Sequence, residues 1–333
     1  MPVQNDLTNT QPPISVERAE LAINVDGFRA AFNREPIAFS HNLHYLKLFE
    51  LNYLRRLAES YAASGTDYYL AGGAPLPGTR FYGVPKVTQN LQEMFGSLDS
   101  GSFRILLKRP EKYDPQFRRL LDHLFEQVIA LKGGLGSAKV QRLEAAILIS
   151  SGSTITPLHF DPEAGFFSQI EGEKFYHVYS PSDLKEQEVE RFYRRGVIDI
   201  AQIAIDERNP EKEHVFNLAP GKGMHQPLNA PHWVQTGNAR SISYTFVFNT
   251  DADQVLGRTR AFNHYMRRLR LNPAMPGADC EGDARKARVM SKVLPVRVVV
   301  ENQVSKIGGP VRRVIGKFLR KRGLYVYYKR LTK

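Results

Sequence analysis

His159 and Asp161 lie two residues apart in the run Thr156-Pro-Leu-His-Phe-Asp161. In an extended segment, side chains at i and i+2 project from one face. An imidazole nitrogen and a carboxylate oxygen therefore enter the same space. A second histidine from a distant strand would complete two nitrogens and one oxygen on one face of a metal ion. The opposite positions stay open, and that donor set is the mark of a non-haem Fe(II) oxygenase site. A His-x-Asp triplet also occurs in ordinary polar turns and strand ends, so two further features matter.

The first is Pro220-Gly221, a turn followed eleven residues later by His232 at the entry to a strand. His232 is the expected third ligand because it immediately precedes the apolar start of the final strands; His225, in the same segment, is its competitor. His41 and His44 read as structural or surface histidines. The second feature is Lys174, thirteen residues after Asp161, expected on the strand next in sequence to the one that carries the ligands. A lysine directed into a largely apolar barrel needs an anion, since an unpaired buried ammonium is costly. The distal carboxylate of 2-oxoglutarate suits it, and the Thr156 hydroxyl offers a second hydrogen bond to the same group.

The elements that must position these groups can be read from period and punctuation. Leu48, Leu51, Leu54, Leu57, Ala58 and Tyr61 follow helical spacing and predict a helix over about Tyr45–Ala63. Residues 64–87, rich in Gly and Pro, read as a loop carrying Tyr68, Tyr69, Phe81 and Tyr82. Phe103–Lys108 reads as a strand. Asp114-Pro115 supplies an N-cap and a first-turn proline. They open a helix whose stripe is Phe117, Leu120, Leu121, Leu124, Phe125 and Val128. From about residue 144 the period becomes strand-like, with Ala145–Ser151 and Phe175–Tyr179 as strands. Residues 183–209 read as a charged surface helical excursion, and strands resume at Val215. In Ser241–Phe248, Ile242, Tyr244, Phe246 and Phe248 share one face, and Ser243, Thr245 and Val247 the other. That strand fits a barrel wall with a helical layer outside and a pocket inside.

Composition bounds the rest. The chain has 333 residues, 42% of them hydrophobic, enough for one large core with appended helices. The single cysteine, Cys280, excludes an intramolecular disulfide and a multi-cysteine zinc site. No signal peptide or 18-residue apolar span is visible, so a soluble, cytoplasmic protein is expected. The net charge of +12 is uneven: residues 284–333 hold 15 Lys or Arg against the single acid Glu301, and the first 283 residues sum to −2. The high pI therefore belongs to the tail. There, Val311, Val314, Ile315, Phe318 and Leu319 form an apolar stripe between Pro310 and Gly323, under a basic face. A helix is also expected over Arg258–Arg270. Such a tail suits docking or homodimerisation through C-terminal helices, an anionic membrane surface, an acidic protein, or nucleic acid.

Thr156-Pro-Leu-His159-Phe-Asp161, Phe166-Phe167-x-Gln169-Ile170-x-Gly172-x-Lys174, Tyr179-Ser180-Pro181 and Pro220-Gly221 through Pro231-His232 together resemble the JmjC-type, cupin-fold Fe(II)/2-oxoglutarate oxygenases, hydroxylase branch, over about residues 144–250. The resemblance implies a mainly β fold with flanking helices around a double-stranded β-helix (cupin, jelly-roll) core. The expected layout is a disordered N-terminus (1–15), polar and with Pro12 and Pro13, a helical or mixed region packing on the barrel (16–140), a catalytic core (141–252) and a C-terminal helical region with the basic tail (253–333). The resemblance implies His159, Asp161 and His232 as Fe(II) ligands, Thr156 and Lys174 as 2-oxoglutarate contacts, Thr245 as a further cosubstrate contact, and O2 as the oxidant. Hydroxylation or demethylation of a protein or small-molecule substrate would follow. The sequence departs from the family pattern at Lys222, where Asp usually follows Pro-Gly, at Leu228-Asn-Ala-Pro231, which replaces a tryptophan-rich run, and at Gly165. The rival from another class is a cupin-fold metal-binding or regulatory protein without turnover.

Overall fold

The structure, a computed structural model, describes residues 12–79, 89–194, 201–203 and 208–294. The expected tail helix at 311–323, Phe81, Tyr82 and residues 1–11 lie outside them. The strands and helices are, in chain order, β1 (Leu21–Ala22), α1 (Val25–Ala31), β2 (Ile37–His41), α2 (Leu51–Ser64), β3 (Tyr68–Gly72), α3 (Leu91–Gly96), β4 (Phe103–Lys108) and α4 (Pro115–Lys132). There follow β5 (Val140–Ser150), β6 (Ile155–Phe160), β7 (Ala164–Glu171), β8 (Lys174–Val178), α5 (Glu186–Tyr193), β9 (Ala201–Gln202), β10 (His214–Leu218), β11 (Lys222–Gln226), β12 (His232–Thr236), β13 (Ser241–Thr250) and α6 (Asp251–Arg268).

Two antiparallel sheets face each other. The larger runs β1-β2-β11-β7-β13-β5-β4-β3 and the smaller β10-β8-β12-β6-β9. From β5 to β8, successive strands alternate between the sheets, and β10 to β13 resume the alternation, which is the path of a double-stranded β-helix. Residues 16–140 do more than pack on this barrel, because β1 to β4 extend its larger sheet at both edges. Tyr68 and Tyr69, read as loop, are in β3: five paired residues outweigh the Gly- and Pro-rich composition around them.

The outer face of the larger sheet explains the sequence pattern. Ile242, Tyr244, Phe246 and Phe248 are buried in one core with Phe28, Phe117, Leu121 and Leu124. Tyr244 packs on Phe49 and Phe117, with ring centroids at 5.4 and 6.4 Å, and Phe125 meets Phe248 edge-on at 5.2 Å. The α4 helix begins where Asp114 accepts a bond from the Gln116 N–H, and Tyr53 locks that carboxylate at 2.5 Å. It ends at Gly133 in the left-handed conformation. The first long helix starts at Leu51, later than expected, because 43–45 and 47–49 wind as separate 3-10 turns.

The described residues fall into two compact units, one within 12–188 and 201–253 and the other within 189–194 and 254–294. Ile14, within the stretch expected to be disordered, bridges to Leu46. In the second unit, Ala261, Met290 and Leu294 pack together with Phe262 and Tyr265, and Arg267 pairs with buried Glu190 at 3.0 Å. The α6 helix begins seven residues before the expected Arg258, because the last β13 residue, Thr250, bonds Asp253 at 2.8 Å and hands the chain directly into it.

Phe117 is fully buried between α4 and the sheet. Phe117→Ala is expected to destabilise the protein by about 3–5 kcal/mol, read as a shift of the urea midpoint at unchanged slope.

Candidate active site

The site begins with a strand pairing. His232, first residue of β12, stands opposite His159 of β6. Both imidazoles therefore project from one face, with centroids 4.2 Å apart. Asp161 follows β6 by one residue and points the same way. Its Oδ2 lies 3.8 Å from His159 Nε2 and 3.7 Å from His232 Nε2. The three donor atoms are all within 4.8 Å of one another, a spacing that fits a single ion with bonds of roughly 2 Å.

Backbone carbonyls set both rings. His159 Nδ1–H donates to Pro157 O at 2.7 Å, and His232 Nδ1–H to Ala230 O at 3.0 Å. That tautomer leaves each Nε2 lone pair aimed inward. Burial, aided by His159, pushes the His232 pKa well below its ordinary value, so the ring is neutral and ready to ligate. Removal from bulk water raises the Asp161 pKa, opposed by His159 and a hydrogen bond from Gln226. Gln226 is in turn held by the Tyr176 hydroxyl, which donates to its Oε1. The Tyr176 ring stacks on His232 at 5.4 Å. Gln226 and Tyr176 thus support two ligands at once. Sequence reasoning missed both, although Tyr176 lies at i+2 from Lys174 on the same strand face.

A cavity of ≈ 380 Å³ opens before the triad, lined among others by Thr156, Lys174, Thr245, Val247 and Arg104. Thr245 and Val247 are on the inner face of β13, opposite to its aromatic face, as the alternation required. Lys174 sits on β8, two strands beyond the His159 strand and not on the next one, since β7 intervenes in the other sheet. The β7–β8 turn depends on Gly172, at φ +68°, where a Cβ would meet Arg240 O at 2.2 Å. Lys174 is buried, and burial with the nearby Arg104 charge pushes its pKa down to about 7. Among the described residues it has no acidic partner; its ammonium lies 5.5 Å from the Phe167 ring centroid.

Thr156 reaches the same cavity through a bulge. His232 pairs with His159 but Val234 with Thr156, so three residues of β6 span two of β12. Strict alternation would turn Thr156 away from His159; the extra residue turns it back. At the far side of the triad, Arg142 bonds Glu163 at 2.6 Å and Glu144 at 2.9 Å. His225 is not among the triad. It is fully buried, accepts from Asn33 N at 3.2 Å, bonds Gly165 O at 3.0 Å and stacks on Phe32 and Phe166. Part of the excursion read as helical also belongs here, because β9 pairs with β6 at His159.

A double-stranded β-helix with two histidines and an aspartate converging on its cavity is a cupin-type barrel that carries a donor set for one metal ion. No family model matches the chain. It is similar to lysine-specific demethylase 8 of Danio rerio, 34% identical over 139 residues, covering 37% of this chain and 32% of that protein. It is also similar to lysine-specific demethylase 8 of Xenopus tropicalis, 25% identical over 141 residues, covering 38% and 31%. The chain thus spans about a third of the length of these curated relatives. Among solved structures, the ribosomal oxygenase YcfD of Escherichia coli is similar at a TM-score of 0.47 and 16% identity, over 83% of this chain and 68% of that one. The site itself is defined by this chain's own residues.

Two outcomes test this geometry. Gln226→Leu is expected to weaken Mn(II) binding about 10- to 100-fold, and His225→Phe to leave it intact, both read by titration with paramagnetic resonance detection. The second concerns Lys174, whose folded pKa is depressed. Between about pH 7 and 10.5 the unfolded chain binds the proton that the ligand-free native state lacks, so this group's contribution to stability rises with pH. Lys174→Met is therefore expected to stabilise the ligand-free protein by roughly 2–5 kcal/mol at pH 7, a gain that shrinks toward pH 10. Denaturant titrations at several pH values check it, and a constant difference would contradict the assignment.

Proposed function

We propose that the protein is an Fe(II)/2-oxoglutarate-dependent oxygenase. The observation that carries this reading is the buried Lys174, without an acidic partner among the described residues, in the same cavity as the His159, Asp161 and His232 donors. A metal-binding scaffold without turnover has no need of a buried cation at that depth, where it opposes folding unless an anion arrives.

His159, Asp161 and His232 would hold the iron, whose neutral nitrogen and anionic oxygen donors suit Fe(II). When bound, iron supplies the coupling of O2 reduction and 2-oxoglutarate decarboxylation, giving succinate and CO2, to oxidation of a substrate C–H bond. The chain's own part is positioning. Lys174 and Thr156 bind the distal carboxylate and so orient the 2-oxo acid end toward the triad. Thr245 and Val247 line the wall beside it, and Phe167 and Tyr176 keep that end of the cavity apolar and dry. Hydroxylation, and demethylation through a hydroxymethyl product, use the same chemistry. The curated relatives are named as lysine-specific demethylases, which favours a protein side chain over a small molecule as substrate.

Among the described residues no helix is long and apolar enough to cross a membrane, and a cytoplasmic location is part of this proposal. The basic residues of 284–333 support an anionic partner (acidic protein, nucleic acid or membrane surface), with a homodimer through C-terminal helices as the competing use.

Purified protein with Fe(II), ascorbate and O2 is expected to convert 2-oxoglutarate to succinate slowly even without the prime substrate. His159→Ala and Lys174→Ala are expected to lower that rate at least about 100-fold. A wild type that binds iron yet neither turns over nor binds 2-oxoglutarate would sink the oxygenase reading in favour of a binding scaffold.

A further inference from the structure

The charged groups that line the cavity fall into two clusters. The carboxylates Glu144 and Glu163 lie on the Arg142 side. The other end gathers Thr156, Lys174 and a second cation, Arg104 of β4, which stands opposite Ser150 of β5. Arg104 lies close enough to Lys174 to depress its protonation and donates from Nη1 to Thr156 Oγ1 at 2.5 Å. Its own charge is disfavoured by burial, and its Nε has no hydrogen-bond partner among the described residues. Among the described residues neither cation has a carboxylate counterion.

The hydrogen bond has one possible direction. A guanidinium only donates, so Thr156 Oγ1 accepts, and the threonine hydroxyl must direct its own hydrogen elsewhere. Thr156 lines the cavity, so that hydrogen is available to a ligand there. Arg104 therefore makes Thr156 a donor there, beside the Lys174 ammonium. Two desolvated cations and one oriented hydroxyl at one end of a cavity whose lining also includes Tyr69, Leu148, Ser150 and Phe167 form a receptor for an anion. A methyl group at that end would leave both cations buried without a partner.

We propose that Arg104 is a specificity-determining residue of the cosubstrate pocket, selecting 2-oxo acids that end in a carboxylate by adding a second cation beside Lys174 and by fixing the Thr156 hydroxyl as a donor. The proposal rests on the oxygenase reading, and its test separates the two. Binding of 2-oxoglutarate and of 2-oxopentanoate, which has a methyl in place of the distal carboxylate, is measured by calorimetry. The full chain is used, loaded with Mn(II) and kept free of oxygen. Arg104→Met is expected to weaken 2-oxoglutarate binding about 10- to 100-fold, to leave Mn(II) affinity unchanged, and to narrow the gap between the two compounds. Arg104→Lys restores part of the loss, because it keeps the charge without the fork. In turnover, KM for 2-oxoglutarate rises more than kcat falls. Should Arg104→Met not fold, Arg104→Gln carries the same expectations. Wild-type binding of 2-oxoglutarate by an Arg104 variant, or equal losses for both compounds, overturns the proposal and leaves the oxygenase reading standing. A wild-type protein that binds Mn(II) but neither compound overturns both.

Discussion

The pairing of β6 with β12 is the constraint on which the site depends. It sets His159 against His232, and Asp161 follows at the end of β6. One residue of slip in either strand would send an imidazole to the other face of the smaller sheet. The register is held from both sides: β12 also pairs with β8 through five consecutive residues, and β6 with β9 at His159 itself. The bulge at Pro157 is part of the same device. It lets Thr156 join the histidines on the cavity face, and the Pro157 carbonyl fixes the His159 tautomer.

The larger sheet supplies rigidity by a different means. Its outer face is an aromatic core shared with α1, α2 and α4, where Phe28, Phe117, Phe166 and Tyr244 are fully buried. Its inner face is assembled from smaller and polar groups, with Gln169 bonded to Ser241 at 2.8 Å and accepting from Ser243 at 2.7 Å. Stability is concentrated on one side and chemistry on the other. Lys174 and Arg104, which have no carboxylate counterion among the described residues, run against folding, and such local conflicts mark functional positions when the surrounding core is strong enough to hold them.

Much of this was legible from one-dimensional pattern. The face alternation of β13, the stripe and cap of α4 and the short strand at Phe103 are local consequences of side-chain period and capping chemistry. The spacings around His159, Asp161, Lys174 and His232 likewise name residues whose chemistry is strongly restricted. The strand β3 was not legible, because its pairing with β4 decides it against its own composition. The start of the first long helix was hidden by 3-10 turns that share its hydrophobic period. The place of His232 just before the final strands favoured it over His225, and the fold separates the two: His225 is sealed among Phe28, Phe32 and Phe166, and His232 faces the cavity.

By itself the sequence determined the residue types, the strand and helix periods and the charge asymmetry, because each depends on neighbours within a few positions. Only the tertiary structure decided which distant groups meet. Gln226, Tyr176 and Arg104 are 50 residues or more from at least one of the groups they position, as in the Tyr176–Gln226 and Arg104–Thr156 hydrogen bonds. Cross-sheet register and a one-residue bulge bring them there, and neither leaves a local signature in the chain.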